Sequence, residues 1–450
     1  MNNMEYRDLL EKLLRESKDK MDDAETFLIK SKETEINIYE GEISKYSIAE
    51  SGGLSLRGLS QGKMGYSYTE KIDETSIDML ISDVLENGKY IDDDPEIIFE
   101  GSDSYEDMDN YSQELKKIEV EDKVNFLMNL EKTALDLDER VFAVDGCSYE
   151  EFEQERYILN TKGVDLQDKF NGAVVYISVV VKDGEDTKTG LSYKIFNDFS
   201  VLDYKEMAKE AVDNAVAMLG AKSIKSDNYP IIFENKTFAN LISAFSPIFS
   251  ADNVQKGLSL LKGKIGEEIA SPNLTLVDDP FLKGGFGSRN FDDEGTKTTF
   301  KKLIDNGRLE SYLYNWKTGK KDDVNSTGNA SRSYKGSISI SPTNLYIVKG
   351  DMSRRELVNF VDHGLYIDNL EGLHSGLNPV SGDFSLSASG FEIKYGEITR
   401  PVNQITIAGN LFELFKNIEA IGNDLEFGIP YSGFIGSPSI FVKSLSVSGE

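Results

Sequence analysis

A chain of 450 residues can bury a large core, and its length suggests two or three domains. The hydrophobic fraction of 39% is ordinary for a globular protein, whereas the formal net charge of −29 is extreme. Because so many carboxylates repel phosphate backbones and anionic membrane surfaces, we expect neither nucleic acid nor membrane as a partner. The charged N-terminus lacks a signal-peptide pattern, and no apolar run is long enough to span a bilayer. These features predict a soluble, cytoplasmic protein.

The single cysteine, Cys147, excludes an intrachain disulfide and gives no sign of an oxidising compartment. It has no obvious basic neighbour that would lower its pKa. We therefore expect a partly buried, small apolar residue at the start of a strand.

The first half of the chain predicts helices and antiparallel strands in alternation. Between the helices, alternating apolar residues, with turns at Gly41, Gly52–Gly53 and Gly62, predict one meander of about four strands at 33–72. The same alternation predicts a second meander from Val141 to Phe199. The segments that close the meanders, 65–78 and 190–203, resemble each other and suggest an internal duplication. Apolar residues at helical spacing predict helices over about 4–20, 74–90, 120–137 and 204–219.

The polar segment 222–231 predicts a boundary between an N-terminal α+β domain, 1–221, and a C-terminal domain, 222–450. Beyond it, many short strand patterns separated by turn residues predict a β-rich sandwich or barrel-like domain with a few helices. The stretch 401–450 predicts a strand, a Gly-Asn turn, an amphipathic helix, a polar loop and a closing strand. The fold class is therefore α+β.

Two acidic clusters could bind a hard cation: Asp278 with Asp279, and Asp292 with Asp293 and Glu294. Neither has the spacing of a calcium-binding loop, and adjacent acids before Pro or Gly are typical of turns and caps. The glycines of KGGFGS at 283–288 are likewise typical of a tight turn, because no Lys-Ser/Thr follows them as in a phosphate cradle.

The only two histidines, His363 and His374, do not form a metal-binding pair. The sequence places His363 between a helix and a strand, as a capping or turn residue. His374 lies in a glycine-rich loop, where a histidine can bind a ligand or relay protons; the alternative is an ordinary surface residue.

Four segments of the sequence carry a resemblance to a known family, and they follow one another in the same order as in that family. They are GGFGSRNFDDEG at 284–295, STGNASR at 326–332, a segment from Asn378 to Val402, and one beginning at Thr406. On these segments the chain resembles the TldD/PmbA family, specifically its PmbA (TldE) branch. The resemblance implies a subunit that pairs with a metal-bearing TldD-type subunit around a cavity for unfolded peptides. It also links the chain to proteolysis and peptide maturation, and to an older label, modulator of DNA gyrase.

In the TldD branch, an HExxxH helix and a cysteine near the C-terminus hold a zinc ion. The corresponding helix of this chain is NKTFANLISAFSPIFSAD, where Ser243, Ala244 and Ile248 stand at the ligand positions. No histidine precedes Val361 and no cysteine follows Cys147. We therefore expect no bound metal, no other cofactor and no catalytic side chain of this type.

Two functions stay open at this point. The first is a non-metal-binding PmbA/TldE-type subunit of a peptidase, which supplies cavity wall and peptide-binding backbone to a TldD-type partner. The alternative is an independent homodimeric peptide-binding protein or hydrolase with a metal-free site, in which His374 would act with acidic residues.

Glycine-rich loops are the best candidates for contact with a peptide, because they let backbone approach closely. We expect such contacts at Ser326, Thr327 and Gly328, at Gly382 and Asp383, and at Gly409 and Asn410; ordinary turns are the alternative. The C-terminal domain is expected to form a subunit interface, and the apolar runs NLFELF and PSIFV are candidates for buried contacts, either in a dimer or between domains.

Overall fold

The computed structural model describes residues 3–90, 98, 101–430 and 433–450 of an α+β protein. Within these residues, no helix combines the length and apolar character needed to cross a membrane. We call the part up to residue 221 the N-terminal half and the rest the C-terminal half.

The N-terminal half contains one six-stranded antiparallel sheet in the order β3-β2-β1-β4-β5-β6. The predicted first meander has three long strands rather than about four. The reason is that Gly52 and Gly53, which the sequence suggested as a turn, lie inside β2, where the backbone of Ile29 and the ring of Tyr334 leave no room for a Cβ. The strands are β1 (Asp23–Tyr39), β2 (Glu42–Ser60), β3 (Lys63–Thr69), β4 (Val141–Asn160), β5 (Asp165–Asp183) and β6 (Asp186–Phe196).

Four helices of this half follow the predicted positions closely, whereas the four-residue helix α3 was not predicted. The order helix, three antiparallel strands, helix occurs twice, and the two units meet along the antiparallel pair β1–β4. This repeated order agrees with the suggested duplication. The helices are α1 (Asn3–Lys18), α2 (Ile77–Gly88), α3 (Gln113–Lys116), α4 (Val120–Leu137) and α5 (Tyr204–Ala217).

The C-terminal half is built around a five-stranded barrel. Its strands follow the order β16-β15-β14-β7-β20, and the barrel closes because β16 also pairs with β20. β17 extends this sheet beside β20. The strands are β7 (Asp227–Phe233), β14 (His363–Glu371), β15 (Asp383–Lys394), β16 (Glu397–Asn410), β17 (Ile418–Ile421) and β20 (Ile440–Ser448).

A second sheet in this half has the order β10-β9-β8-β13-β19-β18, so β10 and β18 are its edge strands. Its strands are β8 (Leu276–Asp278), β9 (Lys301–Asp305), β10 (Arg308–Leu309), β13 (Asn344–Ile347), β18 (Glu426–Phe427) and β19 (Phe434–Ser437), with a separate pair β11 (Ala330–Ser331) and β12 (Ser339–Ile340). The helices are α6 (Asn235–Phe245), α7 (Ala251–Gln255), α8 (Trp316–Lys321), α9 (Arg354–Asn359) and α10 (Leu411–Lys416).

The two apolar runs considered for buried contacts pack in the interior of this chain. Leu411 and Leu414 from NLFELF and Ile440 and Val442 from PSIFV are all fully buried in the largest hydrophobic core. These contacts agree with the intrachain reading of the two runs, whereas a subunit interface of the C-terminal half stays a prediction.

The end of the chain differs from its prediction in two places. Gly409 and Asn410 do not form a turn: they end β16, and the Asn410 side chain caps α10 by accepting a hydrogen bond from the backbone N–H of Phe412. The predicted polar loop contains three short strands, β17 to β19, while residues 431–432 of that segment lie outside the described residues.

Candidate functional site

The helix α6 occupies the position at which the resemblance would place metal ligands. It ends at Phe245, and a 3-10 turn with Pro247 follows, because proline cannot continue the helical hydrogen bonds. Ser243 is half-buried near the end of the helix, whereas Ile248 lies beyond it with its side chain 1% exposed in the core. Positions 243 and 248 therefore do not share a helix face, and ligands there could not converge on one ion.

The chemistry of the side chains agrees with this geometry. Ser243, Ala244 and Ile248 offer no imidazole, thiolate or carboxylate, and in the part of the chain that the structure describes no group of three or more His, Cys, Asp or Glu side chains could hold a metal ion. The zinc site that the family resemblance implies does not fit these residues.

Two of the three predicted peptide-contact loops lie together at one end of the barrel. Asp383 and Asn410 are opposite each other in the pair β15–β16, and the Asn410 amide donates hydrogen bonds to the Ser381 carbonyl at 2.8 Å and to Asp383 Oδ1 at 2.9 Å. Gly382 has a φ of +79°, which suits glycine. A Cβ on Gly409 would lie 3.0 Å from the Phe384 ring, so this glycine serves internal packing.

The third predicted loop, Ser326 to Gly328, belongs to a separate network of buried polar groups. The Thr327 hydroxyl donates to the Asn329 side chain at 2.7 Å, and Asn329 in turn donates to the Asp278 carboxylate at 2.9 Å. Asp278 forms a buried ion pair with Lys301 at 2.8 Å. Burial alone would raise the pKa of Asp278, but the Lys301 ammonium and these hydrogen bonds lower it overall.

The histidines do not form a catalytic group. His374 is exposed in a turn, and no described residue gives it a hydrogen bond or an ion pair. His363 is the first residue of β14 rather than a turn residue, and its Nδ1 lies 4.0 Å from the Glu392 carboxylate. A histidine needs an orienting partner to act as a base, so the geometry gives His374 no such role.

The acidic cluster at 292–294 forms a turn, as predicted, but a fully buried one. The carboxylate of Asp292 accepts hydrogen bonds from the backbone N–H groups of Glu294, Thr296 and Ala330, each at 2.9 Å. Burial raises the pKa of Asp292 to about 6. Burial and then the neighbouring Asp292 raise the pKa of Glu294 to about 7.

Buried arginines join this cluster to the N-terminal sheet. Arg156 of β4 pairs with Asp293, and Arg332 of the C-terminal half pairs with Glu25 of β1 at 2.8 Å. Arg57 of β2 lies 3.2 Å from the same Glu25 carboxylate. All of these side chains are at most 7% exposed. Ion pairs so thoroughly buried fix the two halves in one arrangement.

Between the halves lies a cleft of about 290 Å³ with aromatic walls, which sequence reasoning missed. The rings of Phe427 and Phe434 stack with their centroids 4.3 Å apart, and Phe286 meets Phe434 edge-on at 5.5 Å. Phe427 belongs to β18, so the cleft opens beside an edge strand. The lining residues are Tyr193, Lys194, Ile195, Lys236, Leu282, Lys283, Gly284, Phe286, Glu426, Phe427 and Phe434.

The cleft carries charge as well as apolar surface. Lys236, in the first turn of α6, lies over the Tyr193 ring at 4.5 Å and 4.0 Å from the Glu210 carboxylate. Burial first, and then the surrounding carboxylates including Glu234 and Glu426, raise the pKa of Tyr193 to about 12. The rim can therefore contact positively and negatively charged groups of a ligand, while the aromatic rings contact its apolar groups.

Half-buried carboxyl groups lie near this end of α6. Glu234 follows β7 directly, and its backbone N–H donates to the Ile367 carbonyl at 2.9 Å, next to Asp368 of β14. Burial and then Glu234 raise the pKa of Asp368 to about 7, and burial also raises that of Glu234. The guanidinium of Arg354 stacks 4.3 Å from the Tyr366 ring centroid.

The remaining motifs have structural roles. The glycines of 283–288 form the predicted turn with close backbone approach, since a Cβ on Gly287 would lie 2.2 Å from the Thr343 carbonyl oxygen. Cys147 lies within β4, 3% exposed, and burial raises the pKa of its thiol to about 12.

The fold and the cleft define a class of protein with a twinned antiparallel sheet joined to a barrel-containing half. Three family profiles match successive segments: PmbA/TldA metallopeptidase domain 1 at 24–88, the central domain at 113–219 and the C-terminal domain at 226–449. The chain belongs to the PmbA/TldA metallopeptidase family.

Similar proteins extend over nearly the whole chain. An uncharacterized protein of Methanocaldococcus jannaschii is 30% identical, covering 96% of this chain and 98% of its own length. A Thermotoga maritima structure, described as a candidate DNA gyrase modulator, has a TM-score of 0.91 and 31% identity over 98% of this chain and all of its own. TldE from Thermococcus kodakarensis has a TM-score of 0.90 and 25% identity over 98% and 100%.

Proposed function

We propose that this chain is the non-metal-binding, PmbA/TldE-type subunit of a cytoplasmic peptidase that acts on unfolded peptides. Its role is to supply cavity wall and peptide-binding backbone to a metal-bearing TldD-type subunit. Membership of the family supports the link to proteolysis, and the side chains at Ser243, Ala244 and Ile248 support a role without metal.

The observation that carries this proposal is the aromatic cleft beside the edge strand β18. An edge strand can pair with the backbone of any extended peptide, while rings such as Phe427 and Phe434 accept varied side chains. This combination suits the capture of unfolded chains of many sequences. The charged groups Lys236 and Glu426 at the rim would orient the bound peptide.

The loop around Gly382, Asp383, Gly409 and Asn410 is a second proposed contact surface. Because Gly409 packs against Phe384 and Leu445, a valine there would disturb the barrel and could not report on peptide contact. Asp383→Ala is the better probe, because this substitution removes an exposed carboxylate and leaves the backbone of β15 in place.

The test is binding of a fluorescein-labelled unstructured peptide rich in Leu and Phe. Phe427→Ala is expected to raise the peptide Kd on the order of tenfold, because truncating a ring removes a large apolar contact. Phe360→Ala is the matched control, because Phe360 is 68% exposed and does not line the cleft. Equal affinity of the Phe427 and Phe360 variants would contradict the proposed cleft.

A further inference from the structure

Two carboxyl groups and a tyrosine hydroxyl lie on the outer face of the barrel, on the neighbouring strands β14 and β7. On β14, Leu365 and Ile367 pack into the core inside the barrel, so Tyr366 between them faces outward. A β-bulge inserts Asp368 after Ile367, and the next residue to pack against the core is Leu370. Asp368 therefore lies on the same outer face as Tyr366.

Glu234 joins this face from β7, which runs parallel to β14. Tyr366 is the register partner of Ile232, and both belong to the small apolar cluster on the outer face. Phe233 packs inside the barrel, so Glu234, the next residue, lies on the outer side. Its backbone N–H donates at 2.9 Å to the carbonyl that precedes Asp368. We call Glu234, Asp368 and Tyr366 the carboxyl site.

The carboxyl site has hydrogen-bonding capacity that the described residues leave unused. The Tyr366 side chain is fully buried, and within the described part of the chain its hydroxyl has no hydrogen-bond partner. The carboxylates of Glu234 and Asp368 are half-buried, and no described side chain donates to either of them. Buried polar groups are rarely left unpaired in folded proteins, so this hydroxyl indicates a ligand.

The charges around the carboxyl site favour a cation. Burial and then Glu234 raise the pKa of both Asp368 and Tyr366, that of Asp368 to about 7. The cations Arg354 and Lys236 oppose the shift of Glu234 only in part, since burial still raises its pKa. Arg354 is exposed, so water screens its charge. Two further carboxylates add negative charge, those of Glu210 and Asp424.

A primary ammonium group fits this site better than a metal ion. It has three N–H donors and no acceptor, and the carboxyl site offers two carboxylates and one hydroxyl oxygen as acceptors. Among the described residues, no group of three or more His, Cys, Asp or Glu could hold a metal ion. The carboxyl site also adjoins the aromatic cleft, because Glu234 raises the pKa of Tyr193 in the cleft wall more than any other charged group does.

We propose that Glu234, Asp368 and Tyr366 bind a primary ammonium group of a peptide whose apolar side chains lie in the cleft. The ammonium group belongs either to the peptide N-terminus or to a lysine side chain. This inference rests on the proposed function and names a substrate class for it. Hydrogen bonds from an ammonium group would satisfy the Tyr366 hydroxyl and let both carboxyl groups ionise.

Four forms of one unstructured peptide, labelled with fluorescein at the C-terminus, test the proposal and separate the two sources. The N-terminus is free or acetylated, and one internal position is lysine or norleucine. Near pH 8 we expect the form without an ammonium group to bind the parent about tenfold more weakly than the best of the others. Acetylation alone has this effect if the source is the N-terminus, and norleucine alone has it if the source is lysine.

Variants of the carboxyl site should remove this preference without preventing folding, because each loses only a half-buried charge or an unpaired hydroxyl. Glu234→Gln, Asp368→Asn and Tyr366→Phe should each reduce the ratio of affinities toward one. Glu371→Gln, at an exposed carboxylate of the same strand, should keep it. Equal binding of all four peptides to the parent would overturn this inference, as would an equal loss of preference in Glu371→Gln.

A measurement without peptide separates this inference from the proposed function. At about 100 mM, n-butylammonium chloride should raise the Tm of the parent roughly 2 °C more than tetramethylammonium chloride, which has no N–H donor. Asp368→Asn should abolish the difference. No difference in the parent would overturn the inference. A difference in a parent that binds none of the peptides would retain the ammonium site and contradict the proposed peptide cleft.

Discussion

Arg156 and Asp293 form an ion pair across the junction of the two halves, with each side chain only 7% exposed. Arg156 also pairs with Asp168 of β5, and its guanidinium lies over the Phe291 ring at 4.9 Å from the centroid. Removing one member of such a pair leaves the other charge buried without a partner. The resulting loss of stability is far larger than the net contribution of the pair itself.

Replacing Arg156 with methionine should therefore lower the free energy of unfolding by about 3–5 kcal/mol, because Asp293 and Asp168 lose their shared counter-charge. Urea denaturation followed by tryptophan fluorescence measures the change. The control is Lys209→Met at the exposed pair with Asp213, where less than about 1 kcal/mol is expected. Equal losses in the two variants would show that the buried network does not fix the halves.

Because of Asp368, we expect the free energy of unfolding to depend on pH. Its pKa is raised to about 7 by burial and then by Glu234, so on raising the pH the unfolded chain releases this proton first. The contribution of the Asp368 carboxyl group to stability is fully present below its pKa of about 4 in the unfolded chain, and it is lost by about pH 7. Asp368→Asn should gain on the order of 1–2 kcal/mol over the parent between these limits, since the site is only partly dehydrated.

Parallel urea titrations at several pH values check this expectation, with the exposed Asp362→Asn as the control. A gain that does not grow with pH would mean that Asp368 is ionised in the folded protein without penalty.

Local periodicity was sufficient to predict the four long helices of the N-terminal half: the segment 120–137 is helical over those same residues. It failed at Gly52 and Gly53, because a glycine that admits Tyr334 looks the same in sequence as a glycine in a turn. The strand-pairing partners that decide between these roles lie far along the chain.

The site was harder to predict than the fold for the same reason. Tyr193 and Phe286 are 93 residues apart and Phe286 and Phe427 are 141 residues apart, and no short pattern joins them. The acids at 292–294 have the local sequence of an exposed turn. The turn is buried because Arg156 and Arg57 of the N-terminal half pair with its carboxylates, and the local sequence does not contain them.

Cys147 should be inert in the native state. Burial raises the pKa of its thiol to about 12, so almost no thiolate exists near pH 8. Ellman's reagent should react with the folded chain on the order of a thousandfold more slowly than with the chain in urea, as the ratio of the two thiolate fractions implies. Comparable rates would show that the strand β4 opens readily around this residue.

The metal positions offer a graft experiment. Introducing Ser243→His, Ala244→Glu and Ile248→His together should not create a zinc site, because α6 ends at Phe245 and position 248 lies in the core. The triple variant should instead lose about 2–5 kcal/mol of stability through the buried Ile248. Stoichiometric zinc by elemental analysis in the triple variant would contradict this geometry, and about one zinc per chain in the parent would contradict the proposed role.

The most direct test measures hydrolysis of an unfolded peptide by three samples: this chain alone, a TldD-type protein from the same organism alone, and the two mixed. We expect no hydrolysis by this chain, strong hydrolysis by the mixture, and a reduced rate when the mixture contains Phe427→Ala but not Phe360→Ala. Hydrolysis by this chain alone that persists in a chelator, with no increase on adding the TldD-type protein, would contradict the proposed role of a metal-free partner subunit.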